Sequence, residues 1–196
     1  MDIGVMGGTF DPIHYAHLFI AEQARIALYL DHVLFVPNRI PPHKQIHNVT
    51  PAAHRFRMAQ LATSANRSFV CSDVEIEREG KSYTVDTLRV LSHQLPHTQF
   101  FLIVGMDTVA EIETWMRPDE VLQLCKVVGI ARPGFDTEKV LAALPQGYAE
   151  RVIPLESTHL AISSTEIRER VKKGLPIRYL TPDPVVEYIA EHGLYR

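Results

Sequence analysis

A short apolar run, Ile3-Gly4-Val5-Met6, passes directly into Gly7-Gly8-Thr9-Phe10-Asp11-Pro12-Ile13-His14-Tyr15-Ala16-His17. The run reads as a buried strand, the glycines as a tight turn, and residues 17–30 as a helix with Ile20, Ala21, Ala24, Ala27 and Leu28 on one face. A strand that turns on glycine into a helix is the repeating unit of parallel α/β sheets. It also makes an anion site, because the first amides of a helix have no partner of their own and carry partial positive charge. Gly8, without a Cβ, would let the backbone approach a phosphate. His14 and His17, three apart at the helix start, can lie on one side of it.

The rest of the chain continues the alternation. Val33–Val36, stopped by Pro37, Phe69–Cys71, Val74–Ile76, Phe100–Val104, Val127–Ala131 and Val152–Ile153 read as strands. Helices are expected from Thr50-Pro51 to about Ala65, through Val85–Leu91, over 137–144, and over about 164–173 and 182–192. Phe100–Val104 is apolar without interruption, as in a parallel strand covered on both faces. The expected fold is therefore α/β, a doubly wound parallel sheet, with residues 1–196 as one domain and the helices of 164–196 packed on it. Ligands in such sheets sit beyond the carboxyl ends of the strands, so the segments beginning at Gly7, Gly105 and Ser163 should converge on one edge.

The N-terminal motif fits neither G-x-G-x-x-G nor G-x-x-x-x-G-K-[ST], which weakens ordinary dinucleotide and Walker-type readings. Three alternatives stand for the histidines: polar hands on a phosphate, surface or capping residues, and zinc ligands, for which a catalytic site would want a third protein donor. Near the other end, Ile162-Ser163-Ser164-Thr165-Glu166-Ile167-Arg168 reads as a helix start. Ser163 and Glu166 have capping-box spacing, which requires no ligand. The same hydroxyls and amides, with Arg168 one turn in, also form an anion site.

The two segments together resemble the phosphate-binding elements of the nucleotidyltransferases related to class I aminoacyl-tRNA synthetases, G-G-T-F-D-P-x-H-x-x-H and I-S-S-T-x-I-R. Ala16 departs from the glycine usual there. Pro41-Pro42-His43-Lys44, Lys81–Thr87, Gly105-Met106-Asp107, Trp115 and Arg132-Pro133-Gly134 extend the likeness over essentially the whole chain, toward the bacterial nicotinate-nucleotide adenylyltransferases. The resemblance implies a Rossmann-like nucleotidyltransferase fold. It also implies transfer of AMP from ATP to nicotinate mononucleotide, with release of pyrophosphate, as a step of NAD biosynthesis.

Carried over position by position, it assigns catalysis to His14, His17, Lys44 and Arg168. ATP binding falls to Gly8, Thr9, Phe10, His14, His17, Gly105, Asp107, Arg132, Ser163, Ser164, Thr165 and Arg168. The mononucleotide falls to Lys44, Tyr83, Thr84 and Trp115. Plainer roles stay open for several: Lys44 as a solvated lysine, Asp107 as a helix cap, Trp115 in the core. His43 and His47 read as solvent-facing loop residues, and Arg55, Arg57 and Arg67 as structural or surface charges. Mg²⁺ is expected to arrive with the ATP phosphates, with no protein metal site, since magnesium keeps several waters.

Composition sets outer bounds. A formal charge of −3 gives no basic footprint for nucleic acid. No apolar run is long enough to span a bilayer, and no signal peptide is indicated at the start. Cys71 and Cys125, far apart and outside any C-x-x-C pattern, suit buried thiols in the cytoplasm. A homo-oligomer is left open. The rivals are an adenylyltransferase for nicotinamide mononucleotide or another phosphate acceptor such as phosphopantetheine, a nucleotide-binding module without turnover, and a metal-dependent hydrolase using His14 and His17.

Overall fold

Alternation of side chains along each strand divides the core in two. In the computed structural model, which describes residues 1–40, 49–158 and 160–196, Met6, Val33, Phe35, Phe101, Ile103, Val128 and Ile130 face one side of a sheet. Ile3, Val5, Leu34, Val36, Phe100, Leu102 and Val127 face the other. A strand with both faces apolar can be covered only by helices on both sides. The strands are β1 (Asp2–Gly8), β2 (His32–Pro37), β3 (Phe69–Cys71), β4 (Gln99–Gly105), β5 (Cys125–Ala131) and β6 (Val152–Glu156). They form one parallel sheet in the order β3-β2-β1-β4-β5-β6. The order reverses between β1 and β4, so a crevice opens beyond Gly8 and Gly105, where ligands bind in this architecture.

Helices α1 (Tyr15–Ala27), α2 (Ala52–Thr63), α7 (Ser164–Lys172) and α8 (Asp183–Glu191) cover the first face through Ala21, Ala24, Met58, Ile167, Val185 and Ile189. On the second lie α3 (Thr84–Gln94), α4 (Met106–Ala110) and α5 (Pro118–Leu124), with Val85, Leu88, Val109, Val121 and Leu122 buried. Helix α6 (Thr137–Ala143) connects β5 to β6. None of the described helices is long and apolar enough to cross a membrane.

Several sequence expectations shift. Val74–Ile76 is a turn rather than a strand: the Ile76 and Glu77 amides both donate to the Asp73 carbonyl. Its alternation arises because the buried Glu75 carboxylate, not an apolar side chain, faces inward, where it accepts from Thr87 Oγ1 at 2.5 Å. Both glycines of the first motif belong to β1. The chain turns at Phe10, a non-glycine residue at φ 47°, and α1 starts two residues earlier than the hydrophobic pattern suggests. Ala27, assigned to the apolar face, is exposed. Helix α2 is capped by Pro51 rather than Thr50 and ends at Thr63.

Candidate active site at the sheet switch point

The N-cap of α1 is His14, and its backbone amide donates to Nδ1 of His17 at 3.2 Å. An imidazole thus fills the place that Glu or Gln takes in a capping box. Because His17 accepts through Nδ1, its neutral ring carries the proton on Nε2. The two rings stack, with centroids 3.6 Å apart and planes 19° from parallel, and the Phe10 ring meets His17 edge-on at 5.1 Å. Burial pushes His14 down to about 4, and His17 lies well below its ordinary value through burial and the proximity of His14. Both imidazoles are therefore neutral donors and acceptors at pH 7, not fixed cations. Nδ1 of His14 is buried and has no hydrogen-bond partner among the described residues.

The C-terminal motif meets this loop directly. Ser163 caps α7 by accepting from the Glu166 amide at 3.1 Å, the forward half of the expected capping box. Ser164 Oγ donates to the Pro12 carbonyl at 2.8 Å. Arg168 Nη1 donates to the Asp11 carbonyl at 2.7 Å, and its Nη2 to Thr165 Oγ1 at 3.2 Å. Segments about 150 residues apart in sequence thus share one wall of the crevice.

Two cavities open there. The first, about 640 Å³, is lined by Gly7, His14, His17, Gly105, Asp107, Arg132, Ser163 and Ser164, with Phe135 at its edge. A Cβ on Gly105 would collide with the Asp107 carboxylate, whose Oδ1 accepts from the Thr108 amide at 2.9 Å; Gly105, not Asp107, is the N-cap of α4. The second, about 620 Å³, is lined by Gly8, Thr9, Asn38, Glu75, Ser82, Tyr83, Thr84 and Trp115. Gly7, Val104 and Thr108 border both cavities. A Cβ on Gly7 would have no neighbour within 4 Å among the described residues, whereas a Cβ on Gly8 would lie 2.9 Å from the Phe10 ring. Gly8 is small to admit that ring, and Gly7, also without a Cβ, lies on the border that the two cavities share.

Of the residues assigned to ATP, seven line the first cavity: His14, His17, Gly105, Asp107, Arg132, Ser163 and Ser164. Gly8 and Thr9 line the second instead, beside the mononucleotide candidates Tyr83, Thr84 and Trp115. Phe10 lines neither; its side chain is buried in the core. Thr165 and Arg168 line neither cavity and are hydrogen-bonded to each other. Lys44 lies outside the described residues, as do His43 and His47. Trp115 packs against the apolar cluster of the second face and also lines the second cavity. Among the described residues no group of three or more His, Cys, Asp and Glu side chains is placed to hold a metal ion.

Sequence reasoning missed two polar contributors, Glu75 and Asn38, and left Arg55 open between a structural and a surface charge. Glu75 is buried in the wall of the second cavity, where burial raises its carboxyl above the usual range and the Thr87 and Ser82 hydroxyls oppose that rise. Asn38 follows β2 and donates to Thr9 Oγ1 at 3.4 Å. Arg55, on α2, is only 1% exposed. Its guanidinium donates to the carbonyls of Thr50, Thr9 and Arg39 and to Asn38 Oδ1, at 2.7–3.2 Å. The signal for Arg55 was its place on the inner face of α2, beside Met58 and Ala59.

Known proteins match this arrangement. Residues 5–170 match the cytidylyltransferase-like family. A Desulfitobacterium hafniense relative named "Probable nicotinate-nucleotide adenylyltransferase" is 47% identical over 197 residues, covering 99% of this chain and 95% of its own. A relative of the same name from Tropheryma whipplei is 46% identical, covering 97% and 98%. In fold, the chain is similar to a Plasmodium falciparum nicotinic acid mononucleotide adenylyltransferase complexed with NaAD, with a TM-score of 0.79 at 23% identity over 99% of this chain and 97% of that one. By these matches the chain belongs to the cytidylyltransferase-like family, among the nicotinate-nucleotide adenylyltransferases.

Proposed function

We propose that the protein transfers AMP from ATP to nicotinate mononucleotide, forming nicotinate adenine dinucleotide and releasing pyrophosphate. The observation that carries this reading is a pair of neighbouring cavities that share Gly7, Val104 and Thr108 in their lining, one walled by the histidines and the α7 N-terminus, the other by Tyr83, Thr84 and Trp115. An adenylyl group can pass between two substrates only where their sites adjoin, and Gly7, with no side chain, stands on the shared border.

The nucleophile is a phosphate oxygen of the mononucleotide, largely ionised near neutrality because the second pKa of a phosphomonoester is about 6. No protein base is required to activate it. Catalysis reduces to holding two polyanions in line and stabilising the charge that builds on the α-phosphate and the departing pyrophosphate. We assign that work to Nε2–H of His17, to His14, and to the amides of Ser163–Thr165, with Arg168 and Lys44 adding charge. Magnesium enters as part of the MgATP substrate. Asp107 suits the ATP ribose hydroxyls and Arg132 the adenine side. The indole of Trp115 suits a flat, electron-poor pyridine ring, and the N-terminus of α3 at Tyr83-Thr84 suits the nicotinate carboxylate. We take residues 1–196 as one domain, working in the reducing cytoplasm that two free cysteines suit.

The test is pyrophosphate release from MgATP with a panel of acceptors: nicotinate mononucleotide, nicotinamide mononucleotide and phosphopantetheine. The nicotinate compound should give the highest kcat/KM. Preference for either other acceptor would replace this reading with a rival, and ATP binding without turnover on any of them would make the protein a binding module.

A further inference from the structure

The backbone just before His14 is held by the other end of the chain, group by group. The carbonyl of Asp11 accepts from Arg168 at 2.7 Å, that of Pro12 from Ser164 at 2.8 Å and that of Ile13 from Thr181 Oγ1 at 2.7 Å. The amide of Tyr15 donates to the Leu180 carbonyl at 3.1 Å. The Asp11 carboxylate, itself buried, accepts from the Tyr195 hydroxyl at 2.7 Å through Oδ1 and from the Thr50 amide at 3.2 Å through Oδ2. Thr181 is fully buried, and its hydroxyl has one acceptor. Tyr195 adopts φ 67°, a conformation a bulky residue holds only when its surroundings impose it.

These contacts have a consistent electrostatic sense. Carbonyl dipoles turned toward a triphosphate would repel it, and here three consecutive carbonyls have their lone pairs engaged by donors from residues 164–181. Tyr195 extends the hold to the Asp11 side chain. That carboxylate, one hydrogen bond from the Thr50 amide, ties the histidine loop to the residue leading into α2. Burial and the adjacent Asp11 carboxylate keep the Tyr195 phenol well above its usual range, so it stays a donor throughout the working pH range.

We propose that Thr181 and Tyr195 are positioning residues for His14: residues 164–195 form a strap that fixes the histidine loop in its phosphate-binding geometry. Neither side chain lines a cavity, so neither is assigned to touch substrate. The role in turnover rests on the adenylyl-transfer reading above, while the role in loop geometry does not.

The experiment compares Thr181→Val, which keeps the shape and removes the hydroxyl, with Thr181→Ser, which restores it, and with Tyr195→Phe. Each folded variant is assayed at a temperature well below its own midpoint. The expected result is a fall in kcat of about tenfold or more for Thr181→Val and Tyr195→Phe, by analogy with a catalytic group displaced by a fraction of an ångström. KM for both substrates should stay within about threefold, and Thr181→Ser should recover most of kcat. Independently of turnover, NMR titration of the His14 ring in the same variants should move from about 4 toward its ordinary 6.5 as the loop loosens and water enters.

Wild-type kcat in both variants with an unchanged His14 titration would overturn the proposal. A loss of thermal midpoint alone would do the same, since that is what a purely structural tie produces. Should Thr181→Val fail to fold, Tyr195→Phe decides by the same criteria. If wild-type protein turns over no acceptor, the functional reading fails, and the His14 titration alone decides the strap.

Discussion

At the scale of single residues, the two imidazoles of the candidate site are uncharged at rest. His14 and His17 are neutral because burial strips their cations of water, and a triphosphate entering the first cavity would supply the missing counter-charge. Two outcomes follow. His14→Ala should lower kcat by about 10²–10³-fold, the loss seen when a preorganised donor is removed from a developing oxyanion, as measured in steady-state pyrophosphate release. Near-normal turnover would take His14 out of the mechanism. The second concerns stability without ligand. The folded His14 binds its proton near pH 4 while the unfolded chain binds it near 6.5. Between those values the unfolded state holds more protons, so stability is full above about 6.5 and is lost as pH falls toward 4. Between pH 7 and pH 5 this amounts to about 2 kcal/mol from His14. Urea unfolding at the two pH values should show that loss in wild-type protein and a smaller one in His14→Gln, and equal losses would place the effect elsewhere.

At the scale of elements, α2 does more than cover the sheet. Through Arg55 it gathers Thr9 after β1, Asn38 and Arg39 after β2, and Thr50, which leads into α2, onto one guanidinium, which arginine can serve because its donors form a rigid planar fork. Arg55→Leu should destabilise by about 3 kcal/mol or more, because four acceptors lose their donor at once in a buried site. Chemical denaturation measures it, and a change below about 0.5 kcal/mol would mean that water replaces the guanidinium without cost. This node was hard to read from sequence, since its acceptors are mostly backbone carbonyls, which leave no trace in residue type. The strands were legible for the opposite reason: two-sided burial writes long apolar runs, as in Phe100–Val104 and Val127–Ala131. The turn at Val74–Ile76 misled because a buried carboxylate satisfied by Thr87 produces the same alternation as a strand. Helices α4 and α5, of 5 and 7 residues, are too short to show a period.

For the molecule as a whole, the strand order brings everything together. The reversal between β1 and β4 brings the strand ends at Gly8 and Gly105 to one crevice, and the return of the chain through α7 and α8 closes a wall against the histidine loop. The convergence of the Gly7, Gly105 and Ser163 segments was readable from strand–helix alternation alone, because a doubly wound sheet has one ligand edge. That Gly8 and Thr9 border the second cavity while Gly7 borders both was not, since it depends on where the Phe10 ring comes to rest. The most direct test of the account is a crystal structure of the protein with a non-hydrolysable ATP analogue and nicotinate mononucleotide bound together. The triphosphate should lie between His14, His17 and the Ser163–Thr165 amides, with the ribose on Asp107 and the pyridine ring against Trp115, its phosphate facing the ATP α-phosphate across Gly7. An ATP analogue bound away from the histidines, or a mononucleotide outside the Tyr83–Trp115 cavity, would contradict it.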